Sequence, residues 1–119
     1  MAQRTPFGER LQALRAERGM SLKQLAEKLA VSPAYLSALE TGQRGVPNRR
    51  FLHQICQIFA IIWDEADTLA ALAAQSNPKP MIDMRGKSAD HLRLANLLAT
   101  KIPQMNEEAV VQWLKELRR

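Results

Sequence analysis

Two histidines, one cysteine and a short acidic run are the residues from which catalysis or metal binding would have to be built, and none stands in a supporting pattern. His53 and His91 lie far apart in the chain, without Cys or acidic neighbours at metal-ligand spacing. Surface histidines are the simpler account. Cys56 shares a helical face with Phe51, Leu52, Ile55 and Phe59, the setting of a small, inert buried hydrophobe rather than a redox nucleophile. Asp64, Glu65 and Asp67 are better explained as acids at a helix start, which the positive end of the helix dipole favours. No Ser-His-Asp set, phosphate-cradling glycine loop or paired-carboxylate motif can be assembled. No enzyme, metal site or cofactor is expected. Trp63 and Trp113 are expected to be packing anchors, and Trp113 is equally placed to anchor a dimer.

Charge is distributed unevenly. Residues 1–60 hold nine Lys/Arg against four Asp/Glu, whereas residues 61–119 hold eight of each, so the net +5 belongs to the first half. Only that half suits a polyanion. Solubilisation explains such a charge as well as nucleic-acid binding does, so the residue pattern has to decide. No apolar run is long enough to cross a bilayer. Met1 to Gly8 lacks the basic-then-apolar layout of a secretory signal, and the single Cys56 cannot form an internal disulfide. A soluble protein of a reducing cytoplasm, with no membrane partner, is the expectation.

The elements that must position any site are helical throughout, because apolar residues return at helical spacing and no alternating strand pattern is present. Phe7, Leu11 and Leu14 form a first stripe that ends at Gly19. Ser21 caps a second helix, with Gln24 completing a capping box and Leu22, Leu25, Ala26 and Leu29 facing inward. Ser32-Pro33, a cap followed by proline at the first helical position, opens a third helix through Leu36 and Leu39 towards Gly42. Gln43 to Pro47 reads as a loop, Asn48 caps a fourth helix, and a fifth runs from about Asp64 to Ala74. Pro78, Pro80 and Gly86 break the periodicity and mark a linker. Beyond it, Ser88 and Asp90 start one helix, ended by Pro103, and Asn106 caps another. Leu94 and Leu98 on the first, with Val110, Trp113, Leu114 and Leu117 on the second, form apolar faces that two short helices cannot bury alone. They must pack on the first unit or on another chain.

A helix, a very tight turn and a second helix with a small-residue N-terminus is the geometry that lays one helix in a DNA major groove while its neighbour braces on the backbone. The residues agree in detail. Leu14-Arg15, Arg18-Gly19-Met20-Ser21, Leu25-Ala26-Glu27-Lys28-Leu29, Val31-Ser32 and Tyr35-Leu36-Ser37-Ala38-Leu39-Glu40-Thr41-Gly42 together resemble the Xre-type helix-turn-helix domain of lambdoid phage repressors and many bacterial regulators. The resemblance spans roughly Phe7 to Ala73 and is specific, since many positions match in order and spacing.

The resemblance identifies the five helices of residues 1–75 as a repressor-like domain within the all-α fold; the linker at 76–87 and the two-helix extension at 88–119 rest on the residue pattern alone. The same resemblance places Ser32, Pro33, Ala34, Ser37 and Ala38 of the recognition helix towards base edges, with Tyr35 beside them. Ser21 and Lys23 at the start of the second helix, and Gln43, Arg44, Arg49 and Arg50, complete the candidate DNA-binding set, the last four through phosphates or a narrow minor groove. The sequence departs from the family at Leu22, where a phosphate-contacting Gln is frequent. It departs again in its recognition helix, which lacks the Arg, Asn or Gln of a strong base reader. Arg15 and Glu40 match positions that the family frequently joins in a structural ion pair. The function implied is a transcriptional regulator binding double-stranded DNA, of the repressor type; that it acts as a homodimer rests instead on the surplus apolar faces of the two terminal helices, with Leu94, Leu98, Val110, Trp113, Leu114 and Leu117 as the expected dimerisation residues, and on the limited affinity of a single module. Two alternatives remain open: an antitoxin whose terminal helices hold a protein partner while the helix-turn-helix autoregulates, and a ligand-sensing repressor. A capped, amphipathic Asn106 to Arg119 favours a pre-folded interface over a disordered tail.

Overall fold

Side-chain caps set where most of the helices begin. In the computed structural model, which describes residues 3–119, six α-helices start at a residue whose side chain accepts an N–H from the first turn. These are α1 (Pro6–Glu17) at Thr5, α2 (Leu22–Leu29) at Ser21, α3 (Pro33–Glu40) at Ser32, α4 (Arg49–Phe59) at Asn48, α6 (Ala89–Lys101) at Ser88 and α7 (Glu107–Leu117) at Asn106. Each such bond satisfies a donor that the helix cannot, worth about 1 kcal/mol. The remaining helix, α5 (Trp63–Ala74), follows Ile62 without a side-chain cap and relies on Asp64 and Glu65 in its first turn. A single 3₁₀ turn, Ile102–Gln104, carries Pro103 between α6 and α7. No strand occurs among the described residues.

The chain divides into two units, one ending at Pro80 and the other spanning Met81–Arg119. In the first, α1 packs on α3 and α5, α2 on α3 and α4, and α4 on α5. Their buried faces form one core of Phe7, Leu11, Leu14, Leu25, Ala26, Leu29, Leu36, Leu39, Phe51, Ile55, Phe59, Ile61, Leu69 and Ala73, with Leu22, Leu52 and Cys56 packed partly against it. In the second unit, α6 and α7 contain no buried residue.

Several contacts have no counterpart in the local sequence pattern. Ser76, the first residue of the expected linker, is buried: its hydroxyl donates to the Leu72 carbonyl at 2.7 Å and accepts the Phe7 N–H at 2.9 Å. That tie joins the end of α5 to the start of α1. Trp63 corrects the expectation of a packing anchor, since it is 81% exposed. Ile61 fills the core position instead, and the turn into α5 leaves Ile62 and Trp63 outside. Ala30 and Ala60 close α2 and α4 in the left-handed conformation that glycine takes more readily, at φ 58° and 54°.

The crossing of α1 and α3 is the tightest in the first unit. Gly8 lies against the Glu40 backbone so closely that an added Cβ would sit 2.8 Å from the Glu40 Cα and collide with its carbonyl. The Thr5 N–H donates to that same carbonyl at 3.0 Å. The Glu40 carboxylate, almost fully buried, accepts three bonds from Arg15: Nη2 at 2.9 Å and Nε at 3.2 Å on Oε1, and Nη2 at 3.3 Å on Oε2. Arg4 adds a longer contact at 3.8 Å.

Two stability predictions follow from this crossing. Gly8→Ala forces α1 off α3, a destabilisation of about 1–3 kcal/mol; thermal denaturation should show a midpoint lower by roughly 4–8 °C for each kcal/mol. Glu40→Ala strands the Arg15 guanidinium, costing about 3–5 kcal/mol, whereas Glu27→Ala removes an exposed carboxylate and costs about 0.5 kcal/mol or less. Superimposable melting curves for the two glutamate variants would refute the role given to the pair.

Candidate nucleic-acid interface

The turn between α2 and α3 takes only three residues, Ala30, Val31 and Ser32. Left-handed Ala30 lets the chain reverse, with its own N–H on the Glu27 carbonyl and the Val31 N–H on the Ala26 carbonyl at 3.0 Å. Ser32 then caps α3 by accepting the Tyr35 N–H at 3.1 Å, and Pro33 takes the first helical position, where a missing N–H costs nothing. Burial of Leu36, Leu39 and Glu40 fixes the rotation of α3 about its axis. The same rotation leaves Ser32, Pro33, Ala34, Tyr35 and Ser37 exposed and Ala38 half-buried.

Past α3, the chain folds back through Gln43 and Arg44, whose N–H groups both reach the Ala38 carbonyl, at 2.9 and 3.4 Å. Arg44 then places its guanidinium 5.9 Å from the centre of the Tyr35 ring, a cation–π arrangement. Tyr35 in turn stands edge-on to Phe51, with ring centres 6.2 Å apart. This stack joins the first turn of α3, the Gln43–Arg44 turn and the first turn of α4, where Arg49 and Arg50 are exposed and Asn48 accepts the Phe51 N–H at 2.8 Å. Ser21 and Lys23 sit at the start of α2, where Ser21 and Gln24 make reciprocal cap bonds. No hydrogen bond or ion pair among the described residues ties those two positions to the rest of the candidate set.

Cations in the first unit fall into two groups. Arg15 is spent on Glu40, Arg10 on Glu65 at 3.2 Å, and Arg18 on the Phe59 carbonyl at 2.7 Å while also lying over the Phe59 ring. Arg18 thereby closes the C-terminal end of α4, a role that nothing in the sequence around it signals. Lys23, Arg44, Arg49 and Arg50 form no ion pair among the described residues. Uncommitted cations beside an exposed helix start are suited to phosphates, which they meet at little rearrangement cost.

The other polar candidates behave as surface or packing residues. His53 and His91 are exposed, and no group of three or more His, Cys, Asp or Glu side chains gathers into a metal site among the described residues. Burial pushes the half-buried Cys56 thiol above its ordinary value, with the Glu65 charge adding to the shift, so its reactive thiolate is disfavoured. Among the described residues, no helix is long and apolar enough to cross a membrane.

In the second unit, Leu94, Leu98, Ile102, Met105, Val110, Trp113, Leu114 and Leu117 line one wholly apolar trough of about 240 Å³. All six expected dimerisation residues are among them, and the trough adds Ile102 and Met105. Trp113 is 49% exposed along its edge.

Comparison with known proteins gives the same outline. A family model described as a helix-turn-helix domain matches residues 6–72. The HTH-type transcriptional repressor RghR of Bacillus subtilis is 40% identical over 58 residues, which cover 49% of this chain and 43% of RghR. The HTH-type transcriptional regulator SinR of the same organism is 35% identical over 55 residues, 46% of this chain and 50% of SinR. The HTH-type transcriptional activator BcrR of Enterococcus faecalis is 38% identical over 74 residues, 60% of this chain and 36% of BcrR. The matched stretch thus spans half or less of these curated relatives.

If the uncommitted cations meet phosphates, replacing Arg49 or Arg50 by Ala weakens binding to all duplex sequences alike. Each loss should lower the slope of log affinity against log salt by about 1. Fluorescence anisotropy across a salt series reads this directly, and Arg18→Ala, which removes a packed cation, should leave the slope unchanged.

Proposed function

The chain belongs to the helix-turn-helix family of Xre-type regulators, and from that premise we propose that it is a sequence-specific DNA-binding protein that represses transcription as a homodimer. The observation that carries this reading is the exposed first turn of α3, joined through the Tyr35–Arg44 and Tyr35–Phe51 contacts to the turn and helix start that carry Arg44, Arg49 and Arg50, none of which is held by an acidic partner. Two copies would set their α3 helices into successive major grooves about 34–36 Å apart on a pseudo-palindromic site. Repression is supported by the relative named a repressor, RghR. A reporter gene downstream of the selected site gives the sign of the effect.

The dimer is placed on the second unit. Two short helices with no buried residue and a continuous apolar trough cannot stay ordered in water unaided. A second copy suits the trough because α7 is acidic at its start, at Glu107 and Glu108, and basic at its end, at Lys115 and Arg118, where Glu116 is paired with Arg119 at 3.5 Å. Antiparallel pairing of α7 with its symmetry mate sets each acidic start beside a basic end. The same trough would also serve an antitoxin's protein partner, which needs no such self-complementarity.

Selection from random duplex DNA by the full chain tests both halves of this reading. Enrichment of an inverted repeat is the expected result. Trp113→Asp should then sediment as a monomer and bind the repeat about a hundredfold or more weakly, as expected when linkage between two sites is lost. Salt-sensitive binding without any enriched motif would sink the regulator reading, and an undiminished Trp113→Asp dimer would move the interface elsewhere.

A further inference from the structure

Recognition through α3 faces a chemical shortage. Between Ser32 and Thr41 there is no Lys, Arg, Asn, Gln or His, so no side chain offers the paired donors and acceptors that read a base edge bidentately. The one charged residue, Glu40, is 3% exposed and held by Arg15. Tyr35 is occupied on its face by Arg44 and against its edge by Phe51, and the Ser32 oxygen accepts the Tyr35 N–H in the cap. What α3 turns outward is therefore the Pro33 ring, the Ala34 methyl and the Ser37 hydroxyl, beside a Tyr35 that is 36% exposed and held by Arg44 and Phe51, with Ala38 half-buried behind them.

A surface this short and this apolar has one counterpart on the floor of the major groove. Every base-pair edge there presents hydrogen-bonding groups, and the only apolar feature is a methyl on C5 of a pyrimidine, carried by thymine in unmodified DNA. Small side chains also let the helix backbone approach the base edges closely, whereas cytosine and purine edges would lose water to Pro33 and Ala34 without gaining a partner. Resting on the reading of α3 as the recognition helix, we propose that this protein selects its operator by pyrimidine C5-methyl groups packed against Pro33 and Ala34. Ser37 supplies the accompanying hydrogen bond, and half-sites are thymine-rich where these residues meet the groove. Sequence choice thus comes from methyl packing and exclusion, while Arg44, Arg49 and Arg50 supply affinity without base preference.

The test uses the full chain and the motif obtained by selection. Thymines in each half-site are replaced singly by uracil, which removes the methyl and keeps every hydrogen-bonding group. Binding is expected to fall about fourfold at the positions under Pro33 and Ala34, the worth of one buried methyl, and to be unchanged in the spacer. Replacing a critical thymine by cytosine should cost more, and 5-methylcytosine at the same place should recover part of the loss, which separates the methyl from the rest of the base. Ala34→Gly should bring the thymine-to-uracil ratio towards one, with a melting curve to establish that the variant is folded. Ala34→Gln, which favours the helix and restores an amide reader, should shift the selected base to adenine. An enriched motif whose affinity is indifferent to uracil at every position overturns the methyl reading and leaves sequence-specific DNA binding standing. Failure to enrich any motif overturns the regulator reading itself, and the methyl reading with it.

Discussion

Glu40 fixes the position of α3, and most of what the first unit does depends on that. Its carboxylate is buried against Arg15, its carbonyl accepts the Thr5 N–H, and its backbone touches Gly8, so three independent contacts hold the last residue of α3 to the first helix. A buried carboxylate is costly unless it is fully partnered. Here the partner is bidentate and itself only 13% exposed. The arrangement has little tolerance, because sliding α3 by one residue would strip the charge of its partner and drive backbone into backbone. Such intolerance suits a helix whose exposed first turn must present a fixed set of atoms.

Holding one end of α3 firmly allows the other end to be economical. Its N-terminus hangs on the Ser32 cap, on Pro33 and on a three-residue turn closed by left-handed Ala30. A non-glycine residue in that conformation costs about 1 kcal/mol or more, a cost that the packing of α2 and α3 offsets. The cations divide along the same line. Arg10, Arg15 and Arg18 are consumed in holding helices together, whereas Lys23, Arg49 and Arg50 are left to solvent and Arg44 lies over the Tyr35 ring without an acidic partner. Net charge alone does not distinguish the two groups, which is why the excess of the first half was ambiguous until each guanidinium had a place.

Local chemistry was legible in the sequence, and long-range chemistry was not. The caps at Ser21, Ser32, Asn48, Ser88 and Asn106 depend on residues three positions apart, so the chain states them directly. Core faces were readable for the same reason. Ser76 carries no such signal: its burial exists only because α5 returns to the start of α1, and as a lone serine near prolines it resembles a linker residue. Arg18 on the Phe59 carbonyl and Gly8 on Glu40 are likewise products of tertiary approach. Trp63 misled in the opposite direction. Size and hydrophobicity argue for burial, but it is Ile61, two residues earlier, that enters the core, while Trp63 stays 81% exposed. For the candidate interface, residue types and order were legible; which cations were already committed was not.

The two units solve the hydrophobic problem differently, and the difference has a consequence for how occupancy of DNA would respond to protein concentration. Unit one buries its apolar faces within itself, in one continuous core. The second leaves Leu94, Trp113 and Leu117 half-exposed or more, so whatever covers its trough also supplies its stability. If a second copy does so, ordering of α6 and α7 and pairing of the chains are one equilibrium, and the pairing is governed by mass action. On the proposed reading, the short apolar surface of α3 then gains most from being doubled, because two modest half-site affinities multiply once linked. A regulator built this way would sit on its operator over a narrow range of concentration, with the steepness set by the trough rather than by the recognition helix.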